Sequence, residues 1–311
     1  MDGVVVINKP AGKTSHDVVH EVKKILGARK AGHTGTLDPL ATGVLPVCVN
    51  EATKLAPFFS EDSKDYLATM LLGVTTDTLD TDGRILTSRE PKVTKDDIER
   101  ALKGLIGIQE QKPPSYSAVK YQGRSLYKWA RQGVEVDVAS RQVEIFKILL
   151  NDIVLPYVTF FVSCSKGTYV RSLCSEAGAV LGCGACLSRL HRVRSGSFSQ
   201  ESAVLLGEGS MSEKRDTLTA GMIPLDRMLP ELACVLVDQV LAEKIKEGLQ
   251  PTAENLRAYH IPFLATGDVI KFTQKNNQLV ALGRMLYPVS ELPGIDQRAQ
   301  AVKILRVFNR E

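Results

Sequence analysis

Residues 32–46 read Gly32-His33-Thr34-Gly35-Thr36-Leu37-Asp38-Pro39-Leu40-Ala41-Thr42-Gly43-Val44-Leu45-Pro46, and Asp38 is the one carboxylate between Glu21 and Glu51. Asp and Pro both favour turns, and Gly32, Gly35 and Gly43 are punctuation, so an Asp-Pro turn is the plain structural reading. The neighbours supply a chemical one. His33, Thr34 and Thr36 can hydrogen-bond a ligand, and glycines let backbone approach it closely. A lone aspartate in such a loop reads as a nucleophile or base.

The 311 residues, 44% of them hydrophobic, suffice for one large domain and one small one. No apolar run reaches the roughly 18 residues that span a bilayer, and Met1-Asp2-Gly3-Val4-Val5-Val6 is too short and wrongly flanked for a signal peptide. A soluble, cytoplasmic chain with no membrane partner is expected. Six cysteines then read as reduced thiols. Cys183-Gly184-Ala185-Cys186 has metal or redox spacing but lacks a second pair of ligands, so it reads as small-residue packing. The acidic turn Asp77 to Gly83 lacks the bidentate Glu of a calcium loop. No metal is expected.

Net charge is only +4, but the cations cluster. Residues 111–131 hold Lys112, Lys120, Arg124, Lys128 and Arg131 with no acid, interleaved with Tyr116, Tyr121, Tyr127 and Trp129. Residues 163–194 hold Lys166, Arg171, Arg189, Arg192 and Arg194 against Glu176 alone. Clustered cations with aromatics between them are the footprint of RNA binding, where phosphates set affinity and rings stack on bases.

Periodicity predicts strands over Val4–Ile7, Val44–Val49, Lys64–Leu72, Gln142–Leu149 and Val158–Ser163. It predicts helices from Val18 to Leu26 with a Ser or Asp cap, from Thr94 to Ile106 with a capping box, through the basic segment to about Arg131, and over Ser172–Leu181. Polar, weakly patterned residues 207–219 read as a linker, and the first domain is set at residues 1–230. Residues 231–311 then read as a small β-rich module with one helix, Asp238 to Glu247.

The aspartate block, with Asn8-Lys9-Pro10-Ala11-Gly12-Lys13-Thr14-Ser15-His16-Asp17 upstream, resembles the signature of the TruB family of tRNA pseudouridine synthases. So do Lys64-Asp65-Tyr66, the Lys112 to Lys120 stretch, and Cys164-Ser165-Lys166-Gly167-Thr168-Tyr169-Val170-Arg171. The resemblance implies a mixed α+β catalytic domain on a central mixed, largely antiparallel sheet, followed by a PUA-like RNA-binding module. It implies conversion of a T-loop uridine of tRNA, position 55, to pseudouridine.

That reaction breaks the bond from ribose C1′ to N1, turns the base, and joins C1′ to C5 with no net redox change, so no cofactor is needed. A carboxylate can begin it by attacking C6, by attacking C1′, or by removing the C2′ proton. By resemblance Asp38 is that carboxylate, Arg171 its partner, and Asp80 an acid that contacts the same arginine. Tyr66 and Tyr169 become ring contacts to the flipped uracil, with Tyr66 placed to take the C5 proton. Leu190 packs on the base, His33 fills the place the base leaves, Lys9 and Pro10 belong to the RNA loop, and residues 111–142 form an insertion that closes over the T-arm. The expected partner is tRNA alone, bound by a monomer.

Overall fold

The structure, a computed structural model, describes residues 1–309. The first helix shows how local sequence sets up the site. It is α1 (Ser15–Leu26), and it turns Val18, Val19, Val22, Ile25 and Leu26 inward. Its cap is Thr14 rather than Ser15 or Asp17: the Asp17 amide donates to Thr14 Oγ1, and the Asp17 carboxylate accepts from the Thr14 amide, a reciprocal capping box. Ser15 is therefore left free to hold another part of the chain.

Ten strands form one sheet. Its main path runs through β1 (Gly3–Lys9), β3 (Thr42–Val49), β4 (Lys64–Leu72), β5 (Gly107–Gln111), β6 (Arg141–Val154), β7 (Tyr157–Cys164), β8 (Ala185–Ser195) and β9 (Met222–Pro224). The spatial order is β9-β1-β3-β8-β4-β7-β6-β5, and β2 (Ala31–His33) adds to β3. Every neighbouring pair on the path is antiparallel except β3 with β8, so the sheet is mixed and largely antiparallel, as expected. At that parallel joint Gly43, with φ of +99°, lies against Arg192, and a Cβ there would sit 2.3 Å from the Arg192 carbonyl oxygen. Only glycine allows the approach.

In β4 alternate residues Tyr66, Ala68 and Met70 point into the core. There they meet α1, α2 (Lys95–Lys103) and α3 (Val170–Val180) through Val22, Ile98 and Leu173. Each such fully buried side chain contributes about 1.5–3 kcal/mol.

Two expectations are corrected. The stretch 112–131 is not one helix: Pro113-Pro114 are followed by bends over residues 115–118, a hairpin of Lys120–Tyr121 with Arg124–Ser125, and a short helix, Leu126–Ala130. Gln122 and Gly123 both have positive φ, as a tight two-residue hairpin requires, and within 120–131 only Leu126 is buried. Residues 207–219 are no mere linker either, because α4 (Met211–Ala220) starts at a capping box of Ser210 and Glu213. It buries Leu218 alone, which is why its periodicity is faint.

After Pro230 a separate four-stranded sheet begins, ordered β10 (Ala233–Leu236), β11 (Val269–Thr273), β12 (Leu279–Met285), β13 (Val302–Val307). Helix α5 (Gln239–Lys246), capped by Asp238, covers it, and Val235, Leu241, Ile245, Phe272 and Val280 form its own core. Leu279, Leu282 and Phe308 join Val4, Val6 and Phe59 in a seam between the two sheets.

Candidate active site

The aspartate loop joins β2 to β3 and is fastened from three sides. Ser15 Oγ donates to the Leu37 carbonyl (3.0 Å) and accepts from the Leu37 amide (2.8 Å). Lys9 is wholly buried, and its ammonium donates to the carbonyls of Pro10 (2.9 Å), Lys13 (2.6 Å) and Pro39 (3.3 Å). Arg192, 1% exposed, donates from Nε to the Val44 carbonyl (2.7 Å) and from Nη2 to that of Gly35 (3.1 Å). Asp38 and Pro39 do form a turn, closed by the Ala41 amide on the Asp38 carbonyl (3.0 Å). The turn and the chemical position are one feature.

Asp38 opens into a cavity of about 370 Å³, whose lining includes Tyr66, Tyr169, Arg171, Leu190 and Arg192. Arg171 lies at its base, on the first turn of α3, with Nε 3.0 Å from Asp38 Oδ2 and Nη1 3.3 Å from Asp80 Oδ2. Its firm hydrogen bonds go to the carbonyls of Thr78 (3.0 Å) and Tyr116 (2.9 Å), whereas Nη2 is a long 3.4 Å from Asp38 Oδ1 and Nε is not directed at an acceptor. Two parallel hydrogen bonds to Asp38 are therefore not what the site contains. The guanidinium is fixed by other groups and leans on Asp38 as a charge, which leaves the carboxylate lone pairs available.

Loss of water around Asp38 raises its pKa above the ordinary carboxylate value, Arg171 opposes the rise, and Asp80 adds to it. Burial likewise raises Tyr66, with the Arg192 cation pulling the other way, so Tyr66 is a neutral phenol. His33, lowered by burial and by Arg192, is a neutral imidazole whose Nδ1 accepts from the Gly35 amide (3.3 Å). Burial brings Lys9 down to about 8, opposed by the Asp38 charge.

Of the residues singled out in the sequence, Asp38, Tyr66, Tyr169, Arg171 and Leu190 meet in the cavity, and Asp80 reaches it through Arg171. His33 lines a neighbouring hollow on the other side of Asp38, with His16, Tyr127 and Arg131. Pro10 is exposed. Lys9 is not at a surface that meets RNA: its three carbonyl contacts make it a brace under the Asp38 loop.

Most of the second basic stretch is turned inward or paired, with Arg189 exposed. Arg171 and Arg192 are buried, Arg194 grips Asp65 at 2.6 and 2.9 Å, and Lys166 pairs with Glu61. The charge cluster counts Arg192 as an RNA-facing cation and misses its place in the cavity wall, although it stands two residues after Leu190 in one strand, on the same face. Gln111 has no such signal. From β5 its side chain clasps the Tyr169 backbone, accepting from the amide (2.7 Å) and donating to the carbonyl (3.2 Å). Cys183 and Cys186 are free and buried.

A family model described as the TruB family pseudouridylate synthase N-terminal domain matches residues 23–170, and one described as the tRNA pseudouridylate synthase B C-terminal domain matches residues 171–230. A tRNA pseudouridine synthase B of Syntrophus aciditrophicus is 52% identical over 309 residues, 99% of each chain. One from Geotalea uraniireducens is 39% identical over 312 residues, 99% of this chain and 98% of the other. Among solved structures, a chain of a Cbf5-Nop10-Gar1 complex superposes with a TM-score of 0.71 at 28% identity, covering 98% of this chain and 84% of that one. A chain of an H/ACA ribonucleoprotein bound to a substrate RNA containing 2′-deoxyuridine gives the same score at 27% identity, with coverage of 99% and 85%.

Proposed function

The chain belongs to the TruB family of pseudouridylate synthases and is an isomerase that acts on tRNA, and we propose that it converts the T-loop uridine at position 55 to pseudouridine with no cofactor. The observation that carries this reading is an aspartate in a cavity of nucleoside size, 3.0 Å from a buried arginine that other groups hold in place. In the proposal the target uridine leaves the T-loop stack and enters the cavity, with its base between Tyr66, Tyr169 and Leu190. His33, neutral and therefore free to stack without the desolvation cost of a charge, takes the vacated place beside Pro10.

Asp38 then acts on C6, C1′ or the C2′ proton, and each route starts from the carboxylate. Desolvation raises its pKa and Arg171 favours the ionised form against that rise, and a more basic carboxylate is the better nucleophile or base. After the base turns and C1′ joins C5, the C5 proton leaves and N1 gains one. Tyr66 can take that C5 proton only as a phenolate, formed when its own proton passes to N1 or to water, and the adjacent Arg192 cation stabilises that phenolate.

The insertion 111–142 closes over the T-arm, and residues 231–311 act as a PUA-like module on the same RNA. The enzyme works as a cytoplasmic monomer without a protein partner. The test is an unmodified tRNA transcript incubated with the purified chain, with the product mapped by position. Pseudouridine at position 55, and none when that uridine is replaced by cytidine, is expected. Product at another position contradicts the T-loop assignment.

A further inference from the structure

Among the arginines and lysines that line the cavity, Lys64, Arg141, Arg171 and Arg192, one is held differently. Arg171 faces two carboxylates, Arg192 donates to two carbonyls, and Lys64 donates to the carbonyls of Ser60 and Asp62. Arg141, the first residue of β6, makes a single hydrogen bond, from Nη2 to the Gly167 carbonyl (2.7 Å). Its Nε is buried with no partner, and among the described residues no acid pairs with it. A partly desolvated, uncompensated cation is costly unless an anion joins it.

The surroundings look built for that cation. Arg141 Cζ lies 4.8 Å from the centroid of the Tyr169 ring, so the guanidinium covers one face of the ring and leaves the other to a base. Gly167, with φ of +79°, admits it: a Cβ there would lie 3.3 Å from Arg141 Cζ. Arg141 also pairs in register with Gln111, whose amide clasps the Tyr169 backbone. One rung at the root of the insertion thus holds Tyr169 by its backbone on one strand and by its ring on the other.

We infer that Arg141 is a substrate-binding residue that takes an RNA phosphate flanking the target uridine and, through its stack on Tyr169, ties that contact to the seating of the base. A nucleotide whose base enters the cavity brings its flanking phosphates to the rim, and guanidinium is the side chain best suited to phosphate. The inference rests on the proposed RNA substrate.

The test follows single-turnover pseudouridine formation in a T-arm stem-loop across a range of salt, with Arg141→Gln and Arg141→Lys. Arg141→Gln should raise the half-saturating enzyme concentration about tenfold and flatten the log–log salt dependence by about 0.7, the increment for one phosphate contact on single-stranded RNA. Arg141→Lys should keep the slope while lowering the saturating rate, because the charge stays and the stack on Tyr169 goes. With wild-type enzyme, a neutral methylphosphonate at one of the two phosphates flanking the uridine should cause the same loss, and should cost Arg141→Gln nothing further. Wild-type enzyme indifferent to both neutral linkages would overturn the inference, even if the variants failed to fold. So would an unchanged salt slope in folded Arg141→Gln, which would leave Arg141 a support for the ring only. No pseudouridine from wild type on the unmodified stem-loop would instead sink the substrate reading itself, and the inference with it.

Discussion

The two basic stretches, 111–131 and 163–194, read alike in composition and do opposite things in the fold. In the first, Lys112, Lys120, Lys128 and Arg131 are exposed, Arg124 and Arg131 lie over the rings of Trp129 and Tyr127, and the backbone is a short hairpin, turns and one short helix. In the second, Arg171 and Arg192 are 3% and 1% exposed and are held by carboxylates and carbonyls. A count of cations cannot separate these uses. What separates them is strand and helix register, since the second stretch lies on elements whose inner faces line the cavity whereas residues 120–131 of the first bury only Leu126. Arg171 and Arg192 are over-determined by internal contacts, whereas Lys120 and Lys128 of the first stretch are left to solvent.

The sharpest way to break this contrast is to remove a buried cation. Arg171→Met leaves Asp38 and Asp80 facing each other without a counter-charge and should cost about 3–5 kcal/mol of stability, together with a near-complete loss of turnover. Chemical denaturation beside a single-turnover assay reads both. A stable, half-active variant would mean that Arg171 is dispensable to the site.

Lys9→Met probes the brace. It should lower the saturating rate on the order of 10–100-fold through displacement of the Asp38 loop, with tRNA affinity unchanged; an affinity loss without a rate loss would return Lys9 to RNA binding. The same pair of proteins carries a pH signature. Because the folded pKa is lowered to about 8 from 10.5, the unfolded chain holds more protons between those values. Wild type should therefore gain stability relative to Lys9→Met as pH rises from about 8 to 10.5, as followed by denaturant midpoints.

Asp80→Asn sharpens the electrostatics of the aspartate. Since the Asp80 charge raises the pKa of Asp38, its removal should move the acid limb of the rate profile to lower pH. A shift to higher pH would show that Asp80 acts chiefly by holding Arg171 in place. The smallest expected effect is on the open stretch. Lys120→Ala or Lys128→Ala should each flatten the salt dependence of tRNA binding by about 0.7–0.9 while leaving the saturating rate unchanged.

Much of this was legible from residues. Strand β3 is a continuous apolar run, β4, β6 and β7 follow period-two patterns, and α1 and α2 announce themselves by apolar faces, α2 also by its capping box. The aspartate loop is marked by small residues around one acid. The rest depends on tertiary partners that no local pattern encodes. Helix α4 buries one leucine, Lys9 turns inward only because three carbonyls await it, and Gln111 meets Tyr169 across 58 positions of chain. The parallel joint of β3 and β8, which seats Arg192 against Gly43, exists only once the sheet has closed.

The most direct test of the central claim, that Asp38 performs the chemistry on a scaffold that binds tRNA without it, is Asp38→Asn measured for single-turnover pseudouridine formation and tRNA affinity in one experiment. The account predicts no pseudouridine, with affinity within about twofold of wild type, because the RNA-facing cations are untouched. Turnover at a wild-type rate by Asp38→Asn would contradict it.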